Sequence, residues 1–203
     1  MDGIIMKDVR SVSFDTSFLL KEKPEIDKVL KELKRDQINC FITSTVLSEL
    51  EFLKNYGRIN AQLYELAMSR WKHVGGKIID FKNRFLSNEI MRQCVESMGK
   101  HHGVSKHDII NDCNILVTSL KNGVDLFISE DFHFTSIITI EVLHDVTNNA
   151  CVEYFQMCGE EMHCVDTLTF LEAYNHGEID LEIVAALKLN IRKPGKSLNE
   201  LIK

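Results

Sequence analysis

The chain has no apolar run of transmembrane length. Its first residues, MDGIIMKDVR, lack the apolar core that a signal peptide needs. A cytoplasmic protein with no membrane partner is therefore expected. The six cysteines, Cys40, Cys94, Cys113, Cys151, Cys158 and Cys164, contain no C-x-x-C pair and no zinc-ribbon spacing, which argues against a structural zinc site. Cys40 and Cys113 fall within apolar patterns and are expected as buried thiols in a reducing compartment. Glycine-rich phosphate loops are missing: neither G-x-x-x-x-G-K-[ST] nor G-x-G-x-x-G occurs. An excess of positive charge is missing too. The net charge is −6, which argues against a generic basic coat for nucleic acid. It leaves room for an enzyme that meets phosphates through metal ions held by carboxylates. No internal repeat, low-complexity segment or interdomain linker is visible.

What is present fits one substantial domain. The chain has 203 residues, 44% of them hydrophobic and 27% charged, an ordinary soluble composition. Val9 to Asp15 reads as a first strand that ends in Asp15-Thr16-Ser17. Pro24 opens a helix with Ile26, Val29, Leu30 and Leu33 on one face. A second strand covers Ile38 to Ile42, and Thr43-Ser44-Thr45 can cap the helix carrying Val46, Leu47, Leu50 and Leu53. Ile59 to Val74 is amphipathic, with Trp71 expected in the core; Gly75-Gly76 breaks the chain before an extended Lys77 to Phe81. Asn88 to Lys100 is helical and leads through the His-rich stretch 101–107 into Asp108 to Leu120, whose apolar residues recur at helical spacing. Asn122-Gly123 stops that helix, and Leu126-Phe127-Ile128 is an apolar run fit for a buried strand. The stretch 132–146 gives no clear period. A short helix at Cys151 to Met157, a last strand at Met162 to Val165 and a Thr167-capped helix to Tyr174 complete the domain. The domain is placed at 1–176, with 177–203 as a C-terminal helical appendage.

Alternating strands and helices predict an α/β fold around a mostly parallel sheet. Ligands of such sheets bind beyond the carboxyl ends of the strands. Asp15 ends strand one, Glu49 sits in the helix after strand two, Asp131 follows the Leu126–Ile128 strand, and Asp112 lies early in the preceding helix. Four carboxylates at one place repel one another and protonate unless cations neutralise them. An all-oxygen set suits Mg2+ or Mn2+.

The pieces SFDTSFLL around Asp15, TVLSELEFL around Glu49, NDCNILVTSLKNG around Asp112 and LFISEDFHF around Asp131 together resemble the PIN-domain nucleases. That resemblance covers roughly Val9 to Tyr174. It implies a flavodoxin-like three-layer sandwich and a metal-dependent ribonuclease. Asp15, Glu49, Asp112 and Asp131 would be its metal-holding, catalytic acids, with Mg2+ or Mn2+ as cofactor and RNA as substrate. Thr16, Ser17 and Ser129 match hydroxyl residues that would orient carboxylates or waters. The stretch between Glu49 and Asp112 and the tail are longer than in the compact toxin-type members. A homo-oligomer and a protein regulator both stay open.

Three other acids are expected at the periphery: Asp108 as a helix N-terminal acid, with an extra metal ligand as the alternative, Glu130 facing solvent and Asp125 in turn chemistry. A haloacid-dehalogenase phosphatase would need an aspartate where Ser17 stands, and the acids and lysine of a receiver domain cannot be placed. The competing reading from another class is a catalytically silent PIN-like binding or assembly module of an RNA-processing complex.

Overall fold

The structure, a computed structural model, describes residues 4–81, 84–103, 105, 109–154, 157–159 and 161–179. Five strands form one parallel sheet: β2 (Ser11–Phe14), β3 (Asn39–Thr43), β4 (Lys77–Ile79), β5 (Leu126–Ile128) and β6 (His163–Val165). Their spatial order is β4-β3-β2-β5-β6. β2 lies in the middle, with Val12 opposite both Cys40 and Leu126. The α/β class and the layered sandwich are as expected. Counted within the sheet the order is 3-2-1-4-5, whereas flavodoxin itself runs 2-1-3-4-5. The order reverses between β2 and β5, and in open α/β sheets ligands bind beyond the strand ends at such a point. Asp15 and Ser129 are the first residues past them.

Helices cover both faces. α1 (Thr16–Leu20), α2 (Pro24–Arg35), α4 (Ala61–His73) and α9 (Thr167–His176) pack among themselves. So do α3 (Ser44–Asn55), α5 (Arg84–His102), α6 (Ile110–Lys121) and α8 (Ile137–Tyr154). Between the layers lie Val12, Phe14, Phe18, Ile42, Leu116 and Phe127, all without solvent exposure. Burying each such side chain contributes about 1.5–3 kcal/mol. β2 and β5 are buried along their whole length, as strands covered on both faces must be. Trp71 packs against the core from α4, and a Cβ at Gly76 would come within 2.0 Å of its indole, so only glycine lets the chain turn there.

Several sequence expectations need correction. The stretch without a clear period is helical: a short turn, α7 (Phe132–Thr135), and the long α8, which runs through Cys151 to Tyr154, where a separate helix was expected. The cap of α9 is Asp166, whose carboxylate accepts from the Thr169 amide at 2.8 Å; Thr167 is already the first helical residue. Where the appendage was expected to begin, β7 (Glu178–Ile179) pairs antiparallel with β1 (Ile4–Ile5). Residues 180–203 lie outside the described residues. Cys151 and Cys158 are disulfide-bonded, while Cys40, Cys94, Cys113 and Cys164 are free and buried. His101 and His102 close α5, and the rest of the His-rich connection, apart from Gly103 and Ser105, is outside the described residues, as is Asp108. No helix among the described residues is long and apolar enough to cross a membrane.

Candidate carboxylate site

Asp15 is the cap of α1. It leaves β2 in extended conformation, its amide donates to the Ile128 carbonyl at 3.1 Å, and its carboxylate accepts from the Ser17 amide at 3.1 Å. The Ser17 hydroxyl donates to the same oxygen, Oδ2, as does Ser129 Oγ at 2.9 Å. Three donors on one carboxylate oxygen fix its plane. The residue is only 4% exposed, and burial pushes its carboxyl above the ordinary value against those hydrogen bonds, with Glu49 adding to the rise.

Ser129 does two things. Besides holding Asp15 it accepts from the Asp131 amide at 2.9 Å, so one hydroxyl links the ends of the two central strands. Asp131 is in turn the cap of α7, accepting from the His133 amide at 2.8 Å, with the His133 imidazole 3.4 Å from the same oxygen. Glu49 is held at both carboxylate oxygens. Thr16 Oγ1 donates to Oε2 at 2.6 Å and Asn111 Nδ2 to Oε1 at 2.8 Å. Thr16 and Asn111 each flank another of the acids, so these bonds tie Glu49 to the neighbours of Asp15 and Asp112.

The position of Asp112 follows from register. Ser13 and Asp15 share one face of β2, and Asp112 and Ser119 share one face of α6 at i and i+7. A buried hydrogen bond of 2.9 Å joins Ser13 to Ser119 and so fixes how far α6 slides along the strand. The Asp112 carboxyl is pushed up to about 7, first by burial and then by Asp15, Asp131 and Glu49. No hydrogen bond to its carboxylate exists among the described residues. The structure thus brings the four sequence-selected acids within electrostatic reach of one another. It places Thr16, Ser17 and Ser129 as their hydrogen-bond donors. Among the described residues, however, no three acid, histidine or cysteine side chains are already close enough to ligate one ion. The donor set still fits a hard dication: it is all oxygen, with Asp15 buried and Glu49 and Asp112 half-buried, and Asp15, Glu49 and Asp131 are anchored by hydrogen bonds.

Glu130 is not solvent-facing. Its side chain is 8% exposed, ion-paired to Lys23 Nζ at 2.6 Å, and its other oxygen accepts from the Thr167 amide at 3.1 Å. Burial raises its pKa, but these partners outweigh burial and leave it below the ordinary value. It serves the N-terminus of α9, whose unpaired amides need acceptors. Asp125 is a staple: Oδ2 accepts from the amides of Arg10 and Ser11 and from the Ser11 hydroxyl, each at 2.8 Å, joining the starts of β2 and β5. Sequence reading missed Asn111 and His133. Their signal is adjacency, since Asn111 precedes Asp112 and His133 follows Asp131 by two. Comparisons with protein-family models, with curated proteins and with solved structures found no match.

Proposed function

We propose that this chain is a metal-dependent ribonuclease of the PIN type, acting in the cytoplasm on RNA phosphodiester bonds. The observation that carries the reading is the convergence of four carboxylates held from outside by Ser17, Ser129, Thr16 and Asn111, with Asp112 feeling the other three. Such a cluster costs stability, and a scaffold has no use for it. Asp15, Glu49, Asp112 and Asp131 would hold Mg2+ or Mn2+. When bound, the ion would supply the Lewis acidity that activates a water and stabilises the leaving oxygen. The chain's own groups prepare the site. Ser17 and Ser129 fix Asp15, while Thr16 and Asn111 fix Glu49. Burial and the neighbouring carboxylates favour the protonated form of Asp112, and a bound cation would favour the ionised one. That no three such side chains among the described residues already surround one ion favours the second reading, a silent PIN-like binding module. Cleavage of mixed RNAs in manganese, by the wild type and by Asp15→Asn in parallel, separates the two. The nuclease reading expects chelator-sensitive hydrolysis that the variant loses. Hydrolysis resistant to chelator would sink it.

A further inference from the structure

Phe52 and Tyr56 are the only exposed aromatic side chains among the described residues, at 54% and 70% exposure. They pack against each other with ring centroids 4.3 Å apart. Both continue the α3 face that carries Glu49: at 3.6 residues per turn, positions 49, 52 and 56 fall within about 60° of arc. Ile110, 50% exposed, stands beside Asn111, the donor to Glu49. Two adjoining rings, each more than half exposed, therefore lead away from the carboxylates. Around them α3 is polar and exposed at Ser48, Glu51, Lys54 and Asn55, and Arg58 follows at the end of the helix. A patch of two rings is too small for a stable protein interface, which needs about 800 Å² from each partner. It matches the face of a nucleobase, and the exposed Arg58 that follows Tyr56 by two residues suits a phosphate, while Lys54 points off the other side of α3 over the Tyr64 ring.

We infer that Phe52 and Tyr56 form a stacking platform for unpaired bases, which directs single-stranded RNA across Glu49. This rests on the ribonuclease reading and narrows its substrate, because bases inside a duplex are already stacked and cannot reach such rings.

The test is fluorescence anisotropy with the full chain in calcium, using a labelled single-stranded oligouridine and a paired hairpin of equal charge. Phe52→Ala and Tyr56→Ala should each weaken oligouridine binding by about 5- to 150-fold. Tyr56→Phe should bind like the wild type, and the melting temperatures of all variants should stay level. Equal binding of oligouridine by the wild type and the alanine variants overturns the platform. So does a wild-type dimer that the alanine variants dissolve, since the face would then meet a second copy. If manganese-dependent hydrolysis persists in either case, the ribonuclease reading survives and only the platform falls. If the wild type neither binds nor cleaves single strands, both fall.

Discussion

Replacing Asp112 by asparagine should stabilise the metal-free protein, and the gain should grow with pH. The Asp112 carboxyl rises from 3.8 to about 7 in the folded chain. An acid whose folded value lies above its unfolded one holds its proton longer in the native state. Native stability therefore falls as pH climbs from about 4 to about 7, and the penalty is complete above that window. At 1.36 kcal/mol per unit, ionising this group costs roughly 4 kcal/mol. Asparagine is still a buried polar group without a described partner, so the recovered share should be about 1–3 kcal/mol, within the range of single-site effects. For a chain of this size that is about 2–4 °C per kcal/mol in Tm. Asp15, whose carboxyl is also raised, is present in both proteins, and the relief of its repulsion with Asp112 is part of this gain. The assay is thermal melting of both proteins in chelator from pH 4 to pH 8, where the curves should separate only as pH rises. Adding manganese at a hundredfold excess over Kd should favour the wild type by about 2.7 kcal/mol. If Asp112→Asn melts below the wild type at pH 8 in chelator, the carboxylates do not strain one another.

Glu130→Ala should leave the Thr167 amide and Lys23 without their acceptor and cost about 1–3 kcal/mol in chemical denaturation, with metal binding retained. If Glu130→Ala instead abolishes metal binding at unchanged stability, the residue belongs to the site. Ser119→Ala orphans the buried Ser13 hydroxyl; a loss of about 1–3 kcal/mol is expected, together with weaker metal binding, because the bond sets the register of α6. Unchanged manganese affinity in a destabilised Ser119→Ala would refute that positioning role. Truncation after His176 removes β7 from β1 but no strand of the five-stranded sheet, so a folded protein with a lower Tm is expected by circular dichroism. An unfolded product would show that β7 belongs to the core.

The parts legible in sequence were those whose determinants are local. The period of Ile109 to Leu120, the Asn122-Gly123 stop and the apolar Leu126–Ile128 run placed α6 and β5 almost to the residue. The acids could be selected because Asp15 and Asp131 follow strands and Glu49 and Asp112 lie in the first half of helices with a clear apolar period. α8 was hidden because its first six residues, Ile-Ile-Thr-Ile-Glu-Val, are mostly β-branched, weak helix formers, and packing of Val142, Leu143, Val146 and Ala150 overrides that preference. β1 and β7 are two residues each, too short to carry a period. Glu130 was misread because its acceptor role depends on Lys23 and on Thr167, both distant in sequence. The strand order, like the Ser13–Ser119 bond, is a tertiary fact with no local mark.

The most direct test of the central claim, that Asp15, Glu49, Asp112 and Asp131 together form one dication site, is calorimetric titration of the metal-free protein with manganese near pH 7 in two buffers of different protonation enthalpy. The account predicts binding by the wild type with release of a proton from Asp112, loss of most affinity in Asp15→Asn, and binding without that proton in Asp112→Asn. No heat of binding, or the same affinity and proton count in all three proteins, would contradict it.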